Sequence, residues 1–187
     1  SEEQILDGLD EEDEMIIVDT GSTDNTIAKA ESLGAKIYNF QWIDDFAEAR
    51  NFSFSKATKD YILWLDADDV LEEDDVKKLR ELKESINECV DSVMMNYVLQ
   101  VDKNGNSVYS LKRNRLVKRN RNFRWVGYVH EYLEVYGNII QSEINIVHKK
   151  DKEYTNRNLE IYENKLSSGE ELSIRDILYY GNELYDN

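Results

Sequence analysis

Tyr61-Ile62-Leu63-Trp64-Leu65-Asp66-Ala67-Asp68-Asp69 constrains this chain more than any other stretch, because five uncharged β-formers end in three carboxylates within four residues. Such a run reads as a strand covered on both faces, and in open α/β sheets ligands bind at the carboxyl ends of strands. Carboxylates spaced i, i+2 and i+3 repel one another unless a divalent ion or hydrogen-bond donors compensate. The residues alone leave two readings open: a cation site for a phosphorylated ligand, or a polar turn into a helix, since Asp favours helix starts.

The rest of the pattern alternates strands and helices. Met15 to Val18 is a short apolar run ending at Asp19, and Thr20-Gly21-Ser22-Thr23-Asp24 follows it as a tight turn, with Ser22 or Thr23 as the expected helix cap. Ile27, Ala28, Ala30 and Leu33 line a helix that Gly34 ends; residues 35–40 read as a strand, residues 44–57 as a second helix. This order predicts βαβ units and a parallel sheet. Val76, Leu79, Leu82 and Ile86 mark one helical face, and Glu72, Glu73, Asp74 and Asp75 at its start suit the helix macrodipole. From Asp91 the pattern turns to strands: 92–101, a turn over 102–106 signalled by Asn104-Gly105, then 107–111 and 116–119. Asp102-x-Asn104-x-Asn106 has the spacing of a calcium loop, but Ser107 stands where that loop needs glycine, so it reads as a turn. Residues 151–187 return to helix, with Leu159, Tyr162 and Leu166 on one face and Ile174, Ile177, Leu178, Gly181, Leu184 and Tyr185 on another. The two form a helical hairpin that packs on the sheet domain or begins a helical repeat array. The expected organisation is therefore an α/β domain over 1–150 and the hairpin over 151–187.

Composition narrows the function classes. A formal net charge of −16 leaves no surplus of Lys and Arg to displace counterions from a nucleic acid. The basic island of Lys112, Arg113, Arg115, Lys118, Arg119, Arg121 and Arg124 meets an anionic ligand or is a solvated edge strand. Cys89 is the single cysteine, which rules out an intrachain disulfide and suits a reducing compartment. No apolar run approaches the roughly 20 residues that span a bilayer, so the expectation is a cytoplasmic protein, with peripheral association at the inner face of the membrane compatible with it. No phosphate-cradling Walker loop or dinucleotide glycine fingerprint occurs.

Asp19-Thr20-Gly21-Ser22-Thr23-Asp24, Ala49-Arg50-Asn51 and Leu65-Asp66-Ala67-Asp68-Asp69, in this order and spacing, resemble family 2 glycosyltransferases of the GT-A fold. The resemblance covers about Glu14 to Leu133. It implies an α/β, Rossmann-type mixed sheet flanked by helices, a nucleotide-sugar donor, and Mn2+ or Mg2+. It also implies roles: Asp19 on the nucleotide base, Arg50 holding the nucleotide, Asp66 facing the ribose, Asp68 ligating the metal and Asp69 shaping the diphosphate site. Arg124-Trp125-Val126-Gly127-Tyr128-Val129-His130-Glu131 resembles the Trp-x-Gly-x-x-His-Glu segment of a bacterial subset that modifies cell-envelope glycans or peptides. There Glu131 is implied as general base for an inverting displacement, His130 as a diphosphate or metal contact and Trp125 as an acceptor platform; for His130-Glu131 an ordinary alternating strand is the structural alternative. His148, ending Ile144-Asn145-Ile146-Val147, is implied as a second metal ligand, with a structural histidine as its alternative. A glycan, a lipid-linked sugar or a peptide is the implied acceptor class, through a hydroxyl or a thiol.

The family's first apolar strand, expected ahead of Glu2-Glu3, is not seen in this sequence: either the chain is a fragment whose strand lies upstream or the sheet is incomplete, and the expectation is weak or no donor affinity for this chain alone. Two other functions fit parts of the pattern. One is an inactive, truncated transferase-like binding domain. The other is a haloacid-dehalogenase-like phosphatase with Asp66 as nucleophile and Asp68 as acid and base, although that class needs later motifs that nothing after Asp69 supplies.

Overall fold

A computed structural model of the chain describes residues 9–103, 107–149 and 155–186. Two compact units emerge. One draws on Ser1–Glu14, Thr58–Asn122 and Val135–Asp151, the other on Met15–Ala57, Phe123–Glu134 and Lys152–Asn187.

The first unit is a five-stranded mixed sheet with one helix packed on it. Its strands are β3 (Tyr61–Leu63), β4 (Asp69–Val70), β5 (Ser92–Val101), β6 (Ser107–Lys118) and β9 (Ile139–His148), in spatial order β3-β6-β5-β9-β4. β5 runs parallel to β9; the other pairings are antiparallel. The acid-ending strand is thus an edge element among the described residues, half-buried rather than covered on both faces, and paired only with β6. Residues 107–118 form one continuous strand where the sequence suggested two, with register shifts against β5 absorbing the irregular pattern. The turn signal Asn104-Gly105 lies outside the described residues, yet the strands flanking it pair as a hairpin.

Helix α3 (Glu73–Ser85) presents the expected stripe. Val76 and Leu79 join Leu71, Val93, Met95, Tyr97, Leu116, Ile144 and Ile146 in the buried core, and Leu82 and Ile86 pack against it. One acid of the α3 N-terminus does more than complement the dipole. Asp75 is buried, and its Oδ1 accepts from the Asn145 backbone N–H at 2.9 Å and from Lys78 Nζ at 2.8 Å, fastening β9 three residues before His148.

The second unit begins with a βαβ turn. β1 (Ile16–Asp19) pairs in parallel with β2 (Lys36–Asn39) across α1 (Thr26–Ser32). Contrary to the expectation from sequence, neither Ser22 nor Thr23 caps α1; Asn25 occupies the cap position and Asp24 Oδ1 accepts from Thr26 N–H at 3.0 Å. The loop closes on Asp19 instead. Helix α2 (Phe46–Lys56) starts at Asp45, whose carboxylate accepts from Glu48 N–H at 2.9 Å. It packs on β7 (Arg124–Val126), which pairs antiparallel with β8 (Tyr132–Glu134). The Trp-x-Gly-x-x-His-Glu segment is therefore a strand plus the loop of a hairpin, not an alternating strand.

Helices α4 (Arg157–Ser167) and α5 (Ile174–Asp186) form the expected helical hairpin. Ile161 and Tyr162 are buried with Val129, and Trp42, Phe46, Tyr128, Tyr179 and Tyr180 pack around them. The orientation of α5 differs from the apolar pattern. Ile174, Ile177, Leu178, Leu184 and Tyr185 face outward, while Asp176 and Glu183 are buried. Both acids have specific partners: Asp176 accepts from Ser173 Oγ at 2.5 Å and from Ser173 N–H, and Glu183 contacts His130 and Asn158. The inward face carries these two acids together with Tyr179 and Tyr180.

Candidate active site

The sheet of the first unit delivers three ligand-type side chains to one point. β4 pairs antiparallel with β9 so that Asp69 lies opposite His148, and Lys149 N–H donates to the Asp68 carbonyl at 2.8 Å just beyond the pair. In consequence Asp68, Asp69 and His148 bring one ligand atom each within 4.8 Å of one another. His148 Nδ1 sits 3.5 Å from Asp68 Oδ1 and 3.6 Å from Asp69 Oδ1. Asp69 Oδ1 and His148 Nδ1 are both buried without a hydrogen-bond partner among the described residues. Buried polar atoms are nearly always satisfied, so two such atoms beside a third oxygen are an arrangement that a divalent ion would complete. The donor set, two carboxylates and an imidazole, suits Mn2+ and also Mg2+ with water added.

Asp66 begins the tight turn that carries the cluster: its N–H donates to Asp69 Oδ2 at 2.9 Å, and Asp69 N–H returns to the Asp66 carbonyl at 3.0 Å. The other partner of Asp69 Oδ2 is Arg115, whose Nη1 approaches to 2.6 Å with both side chains fully buried. Burial pushes the Asp69 carboxyl above the usual carboxylate range, and the adjacent guanidinium offsets part of that shift. Arg115 is the residue that sequence reasoning missed. It sat in a basic run read as an anion contact or a solvated edge, and no local signal marks it as buried.

In the second unit, Glu131 accepts from Arg50 Nε at 2.5 Å, and the Arg50 guanidinium lies over the Trp125 ring at 4.6 Å. Asn51 bridges to the same residue by both ends: it receives the Trp125 N–H at 2.9 Å and donates to the Trp125 carbonyl at 3.0 Å. The Ala-Arg-Asn segment thus buttresses the Trp-x-Gly-x-x-His-Glu loop from below. Gly127 and His130 hold left-handed backbone conformations, φ 104° and 53°, and only the glycine adopts this without cost. The strain at His130 is held by α5: its ring stacks on Tyr179 at 4.5 Å, its Nε2 lies 2.7 Å from Glu183, and its carbonyl accepts from Arg175 at 3.2 Å.

Asp19 ends β1 with both carboxylate oxygens turned onto its own loop, accepting from Gly21 N–H at 3.0 Å and Ser22 N–H at 3.1 Å. The Ser22 hydroxyl and those backbone donors hold its carboxyl below the usual range. The structure thus brings together Asp68, Asp69 and His148, with Asp66 in the same turn, and separately Arg50, Trp125 and Glu131; Asp19 stands in its own loop.

The mixed α/β sheet is that of a GT-A fold, on its likeness to solved structures. The profile described as glycosyl transferase family 2 matches residues 3–139, and the chain belongs to that family. Its likeness to solved structures agrees: glucosyl-3-phosphoglycerate synthase from Mycobacterium tuberculosis aligns with a TM-score of 0.52 at 16% identity over 80% of this chain and 68% of that one. A mycobacterial protein aligns at 0.59 and 16% identity over 91% and 71%. Among curated relatives, an uncharacterized glycosyltransferase of Rickettsia felis is 44% identical over 59 residues, 32% of this chain and 20% of that protein. The SPbeta prophage-derived glycosyltransferase SunS of Bacillus subtilis is 29% identical over 125 residues, 65% and 29%. A TPR repeat-containing protein of Synechococcus elongatus is 52% identical over 62 residues, 33% and 15%. The chain therefore spans less than a third of the length of these curated relatives. The family match also sets aside the phosphatase reading of Asp66.

Proposed function

We propose that the chain is the catalytic domain of an inverting glycosyltransferase that moves a sugar from a nucleotide-diphosphate donor, a UDP-sugar first, to a hydroxyl or thiol of a glycan, lipid-linked sugar or peptide. The observation that carries this is the convergence of Asp68, Asp69 and His148, with a buried, unpartnered carboxylate oxygen and imidazole nitrogen among them. Mn2+ or Mg2+, when bound there, supplies charge stabilisation for the departing nucleoside diphosphate. Asp68 and His148 are its proposed ligands, joined by Asp69 through Oδ1. Asp66 is assigned to the ribose and Asp19 to the nucleotide base, the latter also holding its own turn.

Glu131 is the proposed general base. It takes the proton of the acceptor hydroxyl or thiol as that atom attacks the anomeric carbon opposite the leaving group, which inverts the centre. One carboxylate oxygen is engaged by Arg50, and the other is assigned to the acceptor. Arg50 keeps its assignment to the nucleotide alongside this pairing. Trp125 and His130 are assigned to acceptor and diphosphate. The domain division proposed is 1–150 for the transferase part and 151–187 for the hairpin. A cytoplasmic location, at or near the inner face of the membrane, belongs to the same proposal; among the described residues no helix is long and apolar enough to cross a membrane.

Thermal-shift measurements with UDP, GDP and CMP at saturating concentration, each with Mn2+, test this directly. A UDP-specific shift that disappears in Asp68→Ala is expected. No shift with any of the three would refute the nucleotide-sugar assignment.

A further inference from the structure

We infer that Arg115 is the positioning residue of the Asp68, Asp69 and His148 cation site, an inference that rests on the cation reading above. Its side chain is completely buried, and burial of a guanidinium is costly unless a partner repays the desolvation. An apolar side chain would fill the same space with less penalty, so volume alone does not account for an arginine there.

The partner geometry does. Asp69 Oδ2 receives Arg115 Nη1 at 2.6 Å and Asp66 N–H at 2.9 Å, which fixes the carboxylate plane and turns Oδ1 toward His148. Nη1 also reaches the Trp64 carbonyl at 3.3 Å, whereas Nε and Nη2 have no hydrogen-bond partner among the described residues, so the hold on Asp69 runs through one arm of the fork. The guanidinium is itself held between two rings, 3.9 Å from the centroid of Trp64 and 4.5 Å from that of Tyr97. Tyr97 lies 5.4 Å, centroid to centroid, from the His148 ring. One buried cation therefore fixes Asp69 directly and, through a shared aromatic neighbour, the wall behind His148. Outer-shell partners of this kind orient ligands and set metal affinity.

Three roles for Arg115 predict three different signs. A positive charge beside the cluster repels a cation, so a purely electrostatic role predicts tighter metal binding once the charge is removed. A packing role predicts lower stability with unchanged affinity. Positioning predicts weaker binding.

Mn2+ affinity, read by the paramagnetic resonance of free Mn2+ without donor or acceptor, separates them in wild type, Arg115→Met, Arg115→Lys and His148→Ala. Arg115→Met is expected to weaken Mn2+ binding by about 10–100-fold, and Arg115→Lys, which keeps a charged donor but not the planar group that meets the Trp64 and Tyr97 rings, to recover part of the loss. Unchanged or tighter binding by Arg115→Met overturns the inference. If that variant does not fold, Arg115→Lys decides: measurably weaker Mn2+ binding supports positioning, and wild-type affinity overturns it. A wild type that does not bind Mn2+, or a His148→Ala protein that binds it equally well, overturns the cation reading and the Arg115 role with it. Loss in His148→Ala with no loss in Arg115→Met overturns the Arg115 role alone.

Discussion

Neutralising one member of the Arg115 and Asp69 pair should cost far more than neutralising both. The two side chains are fully buried and 2.6 Å apart. With charge centres about 4 Å apart and an effective dielectric constant of about 20, their attraction is about 4 kcal/mol. Asp69→Asn keeps an acceptor for the Asp66 N–H but leaves the guanidinium uncompensated, and Arg115→Met leaves the carboxylate uncompensated; each should lose about 3–5 kcal/mol. The double variant removes both buried charges, and its loss should fall to about 1–2 kcal/mol, because replacing a whole buried pair by neutral groups is often close to neutral. Urea unfolding of the four proteins at neutral pH with EDTA present gives the cycle, with the coupling energy as the readout. A double variant as unstable as the sum of its parts, with coupling below about 0.5 kcal/mol, would refute the account of this pair as mutually dependent.

Asp45 and Asn51 give independent tests in the second unit. Burial holds the Asp45 carboxyl above its ordinary value, so the folded state binds its proton more tightly than the unfolded chain; the stability it contributes is complete below about pH 4 and is lost as pH rises through the folded pKa. Asp45→Asn keeps the α2 cap and removes that slope, leaving stability at pH 7 equal or higher, whereas Asp45→Ala loses about 1 kcal/mol with the cap; parallel stability profiles from pH 3 to pH 8 in wild type and Asp45→Asn would contradict this. Asn51→Ala strips partners from both the N–H and the carbonyl of Trp125 and should cost about 2–3 kcal/mol in urea unfolding. A loss under about 0.5 kcal/mol would show that water replaces the bridge.

Much of the fold was legible because local chemistry wrote it. Gly34 ending α1, the acids opening α3 and the Val76, Leu79, Leu82, Ile86 stripe each follow from a period or a cap, and the structure follows them. What local patterns could not carry were choices made by distant partners. α5 turned its apolar stripe outward, with Tyr179 and Tyr180 on the packed face and Glu183 meeting His130 and Asn158 there. The two-residue strand β4 exists only because β9 is there to pair with it. The candidate ligands could be named by type at the end of one strand and the end of another, but their convergence depends on the register that sets Asp69 opposite His148. Arg115 was hidden most completely, since a basic residue among basic residues reads as solvated until Asp69 supplies its partner.

Mn2+ titration followed by paramagnetic resonance, comparing wild type with Asp68→Ala and His148→Ala, tests most directly whether Asp68, Asp69 and His148 form a divalent-ion site. Saturable binding by wild type, weakened by about tenfold or more in each variant, is the predicted result. Binding that is absent from the wild type, or equal in all three proteins, would contradict it.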